Sequence, residues 1–193
     1  AEMCNRLNAL VRAGTKTASC DALANYQTEA EAMPKLGRCD IATDWEDVSK
    51  SIYRVSEFGT ELERNNYFEK DIDNLLSGVT KAEEKTVSIF SYVLNKMNWN
   101  GYNGFYTNEG VKTAYKKGSG NVADINLMLV AMLRYAKLDA NPVLVSTKKH
   151  GIPLFPTRNG FNYVIAAVDL PQGTLLLDAT NKDAEIGVLK SSI

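Results

Sequence analysis

One stretch of this chain is apolar on almost every side of the helix that it predicts. Between residues 122 and 138, apolar side chains such as Ile125, Leu127 and Val130 fill positions that no single helix face contains. A helix of this kind lies in the middle of a domain rather than against its surface. The segment is shorter than the ~20 apolar residues of a membrane span, and charged residues accompany it. We therefore expect a central core helix around which the rest of a domain packs.

Amphipathic helical patterns precede this segment. Capping boxes at Thr43 and at Thr80 each open a run of apolar residues at helical spacing, and Gly59 is expected to end the first helix. Two further helices are predicted over residues 67–77 and 109–116. Between the last two helices before the core helix lies a Gly/Asn/aromatic loop over residues 98–108, which fits neither the helical nor the strand period.

Strand patterns follow the core helix. They cover Asn141–Thr147, Phe161–Val168 and Gly173–Asp178. The turn residues Pro171 and Gly173 predict an antiparallel hairpin from the last two strands. Helices followed by strands indicate an α+β domain in which a buried central helix packs on an antiparallel sheet.

Charge and cysteine content exclude several classes of function. The chain of 193 residues has 22 Lys and Arg against 23 Asp and Glu, so it lacks the basic excess of a nucleic-acid binder. Cys4, Cys20 and Cys39 show no zinc-ligand spacing and lie far from His150, the single histidine, so we expect no metal and no cofactor. These cysteines are also not expected to be nucleophiles, and their disulfide state stays open. No apolar run is long enough for a membrane span.

Several stretches of the chain, taken in order, resemble the transglutaminase-like (papain-like) core, and most of all its subgroup in envelope proteins of Gram-negative bacteria. The resemblance rests on residues 99–102, 120–127, 142–147, 161–164 and 177–180. It implies a transglutaminase-like domain over residues 43–193, preceded by a segment over residues 1–42 of unknown role. It also implies an exported protein in the periplasm or outside the cell. The first residues lack the order of a signal peptide, so we expect any leader to lie outside this sequence.

The resemblance implies a catalytic Cys at the start of the buried helix, a His on a following strand and an Asp on the next. The positions that match are Val122, Tyr163 and Asp178, so only the Asp is kept. Valine has no nucleophilic atom, and a phenol with a pKa of about 10 is a poor base at neutral pH. The interpretation is a degenerate triad without the acyl-transfer groups, in which Tyr163 can still hydrogen-bond Asp178.

Other reactive residues offer weak replacements for the missing groups. Ser119 lies between glycines before the core helix, where a linker serine is the more common explanation. His150 lies in a turn before Gly151 and is expected to be solvated. Asp124 in the first turn of the core helix is expected to act as a favourable charge on the helix dipole.

The aromatic residues Trp99 and Tyr102 are the candidate binding residues of the loop, together with Tyr163 and Asp178. Core packing under an irregular loop is the more common explanation for such aromatic residues, and a structural hydrogen-bond acceptor is the more common role for a single Asp. We therefore expect a non-catalytic module that binds a polypeptide or a glycan, or a scaffold. The alternatives are a cysteine-independent hydrolase or transferase with a site rearranged around Asp178, Tyr163 and Ser119, or a structural spacer. A pocket lined by Trp99, Tyr102 and Tyr163 favours the binding module over the spacer. The sequence leaves the ligand and the oligomeric state open.

Overall fold

The computed structural model describes residues 44–183, 186–189 and 193. The predictions for Cys4, Cys20 and Cys39, for Thr43 and for the segment over residues 1–42 lie outside the described residues. In the described part of the chain, helices come first and the main sheet follows, as the sequence predicts.

Six α-helices lie within the described residues. They are α1 (Trp45–Tyr53), α2 (Glu61–Glu63), α3 (Glu69–Leu75), α4 (Ala82–Lys96), α5 (Val111–Lys117) and α6 (Val122–Tyr135). A π-helical turn, Ser56–Thr60, connects α1 to α2. Helix α1 therefore ends at Tyr53, before Gly59, which lies inside the π-helical turn.

The main sheet has three antiparallel strands, β3 (Asp139–Val145), β4 (Tyr163–Leu170) and β5 (Gly173–Leu177). Strand β4 lies between the other two. Strands β3 and β4 pair with Val145 opposite Tyr163. Strands β4 and β5 pair with Ala166 opposite Leu177, so the hairpin predicted from the last two strands is present. A second pairing, between β1 (Asn98–Trp99) and β2 (Ser119–Gly120), is parallel and was not indicated by the sequence.

Helix α6 is the buried core helix that the apolar pattern predicts. Every residue from Val122 to Leu133 is buried, and the helix packs against β3 and β4. It ends at Tyr135 rather than near residue 138, because Lys137 adopts a left-handed conformation with φ 64°. An α+β fold with its central helix against an antiparallel sheet is thus confirmed.

The N-caps of α1 and α4 are Asp44 and Lys81. Helix α1 is capped by Asp44, whose side chain accepts a hydrogen bond of 2.8 Å from the backbone of Asp47. The box predicted at Thr80 is wrong, because Lys81 is the N-cap of α4 and makes no side-chain capping bond. The lysine instead forms an ion pair of 3.0 Å with Glu84 in the first turn.

Candidate functional site

The start of α6 is fixed by a reciprocal capping box. Asn121 Oδ1 accepts a hydrogen bond of 2.8 Å from the backbone of Asp124, and Asp124 Oδ2 accepts one of 3.0 Å from the backbone of Asn121. The Asn121 side chain also donates to the carbonyl oxygen of Tyr106 at 2.9 Å. The loop before the helix is therefore joined to its first turn, and Asp124 acts as a capping partner rather than as a dipole charge alone.

Two N–H groups converge on one carbonyl oxygen beside the first residue of α6. The Val122 backbone and the Trp99 indole Nε1 both donate to the Tyr102 carbonyl oxygen, at 3.3 and 3.0 Å. The Val122 side chain is 0% exposed. Two converging donors are the arrangement that binds a carbonyl oxygen or an oxyanion in acyl-transfer sites. In this chain the carbonyl oxygen of Tyr102 itself accepts both hydrogen bonds.

Beyond this position, Tyr163 and Asp178 are in direct contact. The Tyr163 hydroxyl donates to Asp178 Oδ2 at 2.9 Å and lies 2.8 Å from Thr180 Oγ1. The backbone of Thr180 donates to Asp178 Oδ1 at 3.1 Å. Tyr163 and Asp178 are each 3% exposed, so the structure brings these two predicted site residues together inside the core.

Asn126 completes this polar network from α6, four residues after Val122. Its amide Nδ2 donates to Asp178 Oδ1 at 3.0 Å and to the Val164 carbonyl at 2.9 Å. Its Oδ1 accepts from the backbone of Ala179 at 3.0 Å. Asn126 is a functional residue that was missed at the sequence level, although an asparagine within an otherwise apolar helix is the signal that indicates it. A fully buried amide needs such partners, and here it joins the helix to β4 and to the segment after β5.

Burial raises the pKa of two groups in this region. The pKa of the Tyr163 phenol lies well above its ordinary value because the ring is buried, and the Asp178 charge raises it further. At neutral pH this phenol is a hydrogen-bond donor and no general base. The pKa of Asp124 is raised by burial, against the lowering effect of its hydrogen bond from the Asn121 backbone.

Ser119 and His150, the possible replacements for the missing nucleophile and base, lie in different parts of the structure. Ser119 pairs through β2 with Asn98, and among the described residues no hydrogen bond joins its hydroxyl to an imidazole or a carboxylate. His150 is exposed in the loop between β3 and β4, and its Nε2 lies 2.8 Å from the carbonyl oxygen of Asn159. That histidine is solvated, as its turn position predicts.

The candidate binding residues occupy two different environments. Trp99 is 39% exposed and Tyr102 is 72% exposed on the loop that covers the start of α6, whereas Tyr163 and Asp178 are buried below. An open groove of about 250 Å³ lies elsewhere, between α1, the π-helical turn and β3. Its lining is mostly apolar and consists of Trp45, Ser49, Ile52, Tyr53, Phe58, Pro142, Leu144 and Phe161.

Within the residues that the structure describes, no group of His, Cys, Asp and Glu side chains is arranged to hold a metal ion. The helices of this same part of the chain are too short or too polar to cross a membrane.

Comparison with known families gives this arrangement its context. The model of the transglutaminase-like superfamily matches residues 70–174, which is more than half of the chain. The chain belongs to the transglutaminase-like superfamily. The matched range contains Val122 and Tyr163 and ends before Asp178. A model of the ASCH domain matches residues 1–60, of which residues 44–60 form α1 and the π-helical turn in the structure.

Two solved structures are similar to part of this chain. A candidate protease from Parabacteroides distasonis is similar with a TM-score of 0.56 and 14% identity, over 71% of this chain and 27% of that one. A candidate cysteine protease from Cytophaga hutchinsonii has a TM-score of 0.46 and 13% identity, over 66% of this chain and 43% of that one. The chain thus spans about a quarter of the first relative, and the likeness concerns the fold. No curated protein matches the sequence.

Proposed function

We propose that this transglutaminase-like domain is non-catalytic and serves as a binding or scaffold module of an exported bacterial protein. The observation that carries the proposal is the state of Val122, at the position that matches the family's Cys. Its side chain has no nucleophilic atom and is 0% exposed, and its backbone N–H already donates to the Tyr102 carbonyl. Neither a nucleophile nor a free pair of N–H donors is present at the start of α6.

The position that matches the family's His supports the same proposal. The raised pKa of Tyr163 keeps its phenol protonated at neutral pH. The phenol donates its proton to a hydrogen bond with Asp178. Its oxygen is far less basic than an imidazole nitrogen, so it cannot take a proton from a nucleophile at neutral pH. The triad positions thus form a buried structural network, which gives them a role in stability.

The ligand that we propose is a polypeptide or a glycan, and its contact residues are Trp99 and Tyr102. Both aromatic side chains are exposed on the loop over α6, Trp99 by 39% and Tyr102 by 72%. Aromatic rings with a polar group suit both peptide and sugar surfaces, because one end is apolar and the other forms hydrogen bonds. We place the protein in the periplasm or outside the cell on the resemblance alone.

A paired assay of activity and binding tests this function. Purified protein is incubated with labelled casein, and with casein plus a primary amine, to detect hydrolysis and amide transfer. We expect no turnover above a sample without protein, and no difference between the native chain and the Asp178→Asn variant. Turnover that Asp178→Asn or Ser119→Ala abolishes establishes the cysteine-independent enzyme instead.

The binding half uses arrays of peptides and of glycans. We expect binding that Trp99→Ala with Tyr102→Ala reduces by about tenfold or more, since aromatic contacts dominate many interfaces. Tyr53→Ala, at an exposed tyrosine of 43% outside this loop, is the matched control and leaves binding unchanged. Absence of binding on both arrays leaves the structural spacer as the role of the domain.

A further inference from the structure

The loop that connects β3 to β4 exposes three large apolar side chains within four residues. Ile152 is 87% exposed, Leu154 is 81% exposed and Phe155 is 54% exposed. We call residues 152–155 the apolar tip. Single exposed apolar residues are ordinary on a protein surface, but a contiguous group marks a site of contact with a partner or a membrane.

The base of this loop is ordered by its own contacts, which hold the apolar tip outward. The backbone N–H groups of His150 and Gly151 both donate to the Thr147 carbonyl, at 2.8 and 3.1 Å. Pro153 packs so closely on Gly160 that a Cβ there would lie 2.6 Å from the proline Cβ. Because proline fixes its own φ angle, this part of the loop loses little conformational entropy when it binds.

The charged residues of this loop have one sign. Residues 146–162 include Lys148, Lys149 and Arg158, all exposed, and they contain no Asp or Glu. Arg158 also donates through Nε to the Ser51 hydroxyl at 2.8 Å, which fixes its side chain against α1. The whole chain, in contrast, has a net charge of −1. Basic residues next to exposed apolar ones are the combination that attaches proteins to anionic lipid surfaces, through charge attraction and shallow insertion.

We propose that the apolar tip docks on an anionic lipid surface, with Lys149 and Arg158 beside the phosphate groups. A protein partner fits these observations less well, because stable protein interfaces use about 20–30 residues a side, and the tip supplies three side chains. A bilayer needs no matching shape, since its headgroup region deforms around whatever inserts. The proposal is independent of whether the domain is catalytic.

Vesicle sedimentation of the full chain tests the proposal. One set of vesicles is pure phosphatidylcholine, and the other is an equimolar mixture of phosphatidylcholine and phosphatidylglycerol. We expect the chain to sediment with the anionic vesicles, to bind the neutral ones weakly, and to be released as salt is raised. No sedimentation with the anionic vesicles at low salt overturns the proposal.

Variants at the apolar tip separate insertion from charge attraction. Leu154→Ser with Phe155→Ser is expected to lower partitioning on anionic vesicles by about tenfold or more, because several buried CH₂ groups are lost. Val87→Ser, at a valine 45% exposed on α4, is the control and keeps native partitioning. Both variants are checked by circular dichroism, and exposed positions such as these tolerate polar residues.

A fluorescent reporter gives a second readout that does not depend on a loss of binding. With Phe155→Trp, emission is expected to shift to shorter wavelength when anionic vesicles are added, because the indole enters the headgroup region. The proposal is overturned if the variant with Leu154→Ser and Phe155→Ser partitions onto anionic vesicles as strongly as the native chain. Tip-dependent self-association without lipid in sedimentation velocity also overturns it, because that result assigns the apolar tip to a protein interface.

Discussion

The hydroxyl of Tyr163 donates a hydrogen bond of 2.9 Å to Oδ2 of Asp178, inside the core of the domain. The other carboxylate oxygen accepts from Asn126 on α6 and from the backbone of Thr180. Asp178 thereby links the central helix, the first residue of β4 and the segment after β5. A carboxylate with this many donors is stable in a buried position. The network therefore connects the central helix to the sheet by hydrogen bonds.

Removing the Tyr163 hydroxyl leaves part of this network without a partner. Tyr163→Phe keeps the ring but deprives Asp178 Oδ2 and Thr180 Oγ1 of one contact each. We expect the free energy of unfolding to fall by about 1–3 kcal/mol, the usual cost of a buried polar group that loses its bond. Urea unfolding followed by circular dichroism measures the difference.

A tyrosine at the surface provides the matched control for this substitution. Tyr135 also donates to a carboxylate, Asp73, at 3.0 Å, but that bond is exposed to water. Tyr135→Phe is therefore expected to change the free energy of unfolding by no more than about 0.5 kcal/mol. Equal effects at Tyr163 and Tyr135 contradict a structural role for the buried network.

The helices and strands that could be predicted from the sequence are those with a clear pattern of apolar residues. The continuous apolar runs of α6 and β4 are strong signals, because elements buried on all sides contain few polar residues. The pairing of β1 with β2 was missed, since strands of two residues, one of them Ser119–Gly120, are too short to show a period. The box predicted at Thr80 is wrong because helix ends are uncertain by one or two residues in a sequence, and the helix begins one residue later, with Lys81 as its cap.

The polar contacts of the site are harder to predict from sequence. Asn126 contacts Val164 and Asp178, which are 38 and 52 residues away along the chain. The Tyr102 contact is made by a backbone carbonyl, and any residue type carries one. The positions of Tyr163 and Asp178 were taken from a resemblance. Distances of this kind depend on how the helix and the sheet pack, which no local period encodes.

The carbonyl of Tyr102 is expected to hold the loop over the start of α6 through its two donors. Trp99→Phe removes the indole N–H and leaves only the 3.3 Å bond from Val122. Faster hydrogen–deuterium exchange over residues 98–106, with a loss of about 0.5–1.5 kcal/mol in stability, is the expected result. Trp45→Phe is the control, because the Trp45 ring packs edge to face on Phe161 outside this loop. Unchanged exchange in Trp99→Phe contradicts the role given to the indole.

The raised pKa of Asp124 gives stability a dependence on pH. Because the folded pKa lies above the ordinary value of 3.8, the unfolded chain loses this proton first as pH rises. The contribution of Asp124 to stability therefore falls as pH passes from the ordinary value through the folded one, and stays low above it. Asp124→Asn keeps an oxygen for the Asn121 backbone and cannot ionise.

Urea unfolding of native protein and of Asp124→Asn at pH 4 and at pH 7 measures this effect. We expect the variant to gain stability relative to the native chain between the two pH values. Glu109 and Glu61 raise the pKa of Asp124 further by charge repulsion, so raised salt is expected to reduce the gain. If the native chain instead becomes more stable relative to Asp124→Asn as the pH rises from 4 to 7, the pKa of Asp124 is not raised in the folded state.

The last prediction concerns whether the scaffold still places its triad positions for chemistry. Val122→Cys with Tyr163→His is made in a background where Cys4, Cys20 and Cys39 are changed to Ser. The thiol then lies in the first turn of α6, and the imidazole replaces the phenol beside Asp178. We expect the thiol pKa to fall below its ordinary value of about 8.5, because the helix start and an imidazolium stabilise the thiolate.

The pH profile of thiol alkylation measures that pKa, and Val122→Cys alone is the matched control. With Tyr163 retained the imidazolium is absent, and burial of the thiol under the loop opposes the effect of the helix start. The control is therefore expected to react slowly, with a thiol pKa above that of the double variant. The double variant is expected to react faster near neutral pH but to remain without turnover on casein. The Tyr102 carbonyl still accepts from the Val122 backbone and from the Trp99 indole, so this pair of donors is not free to stabilise an oxyanion. Identical alkylation profiles in the two variants mean that the helix start and β4 do not converge on one reactive position.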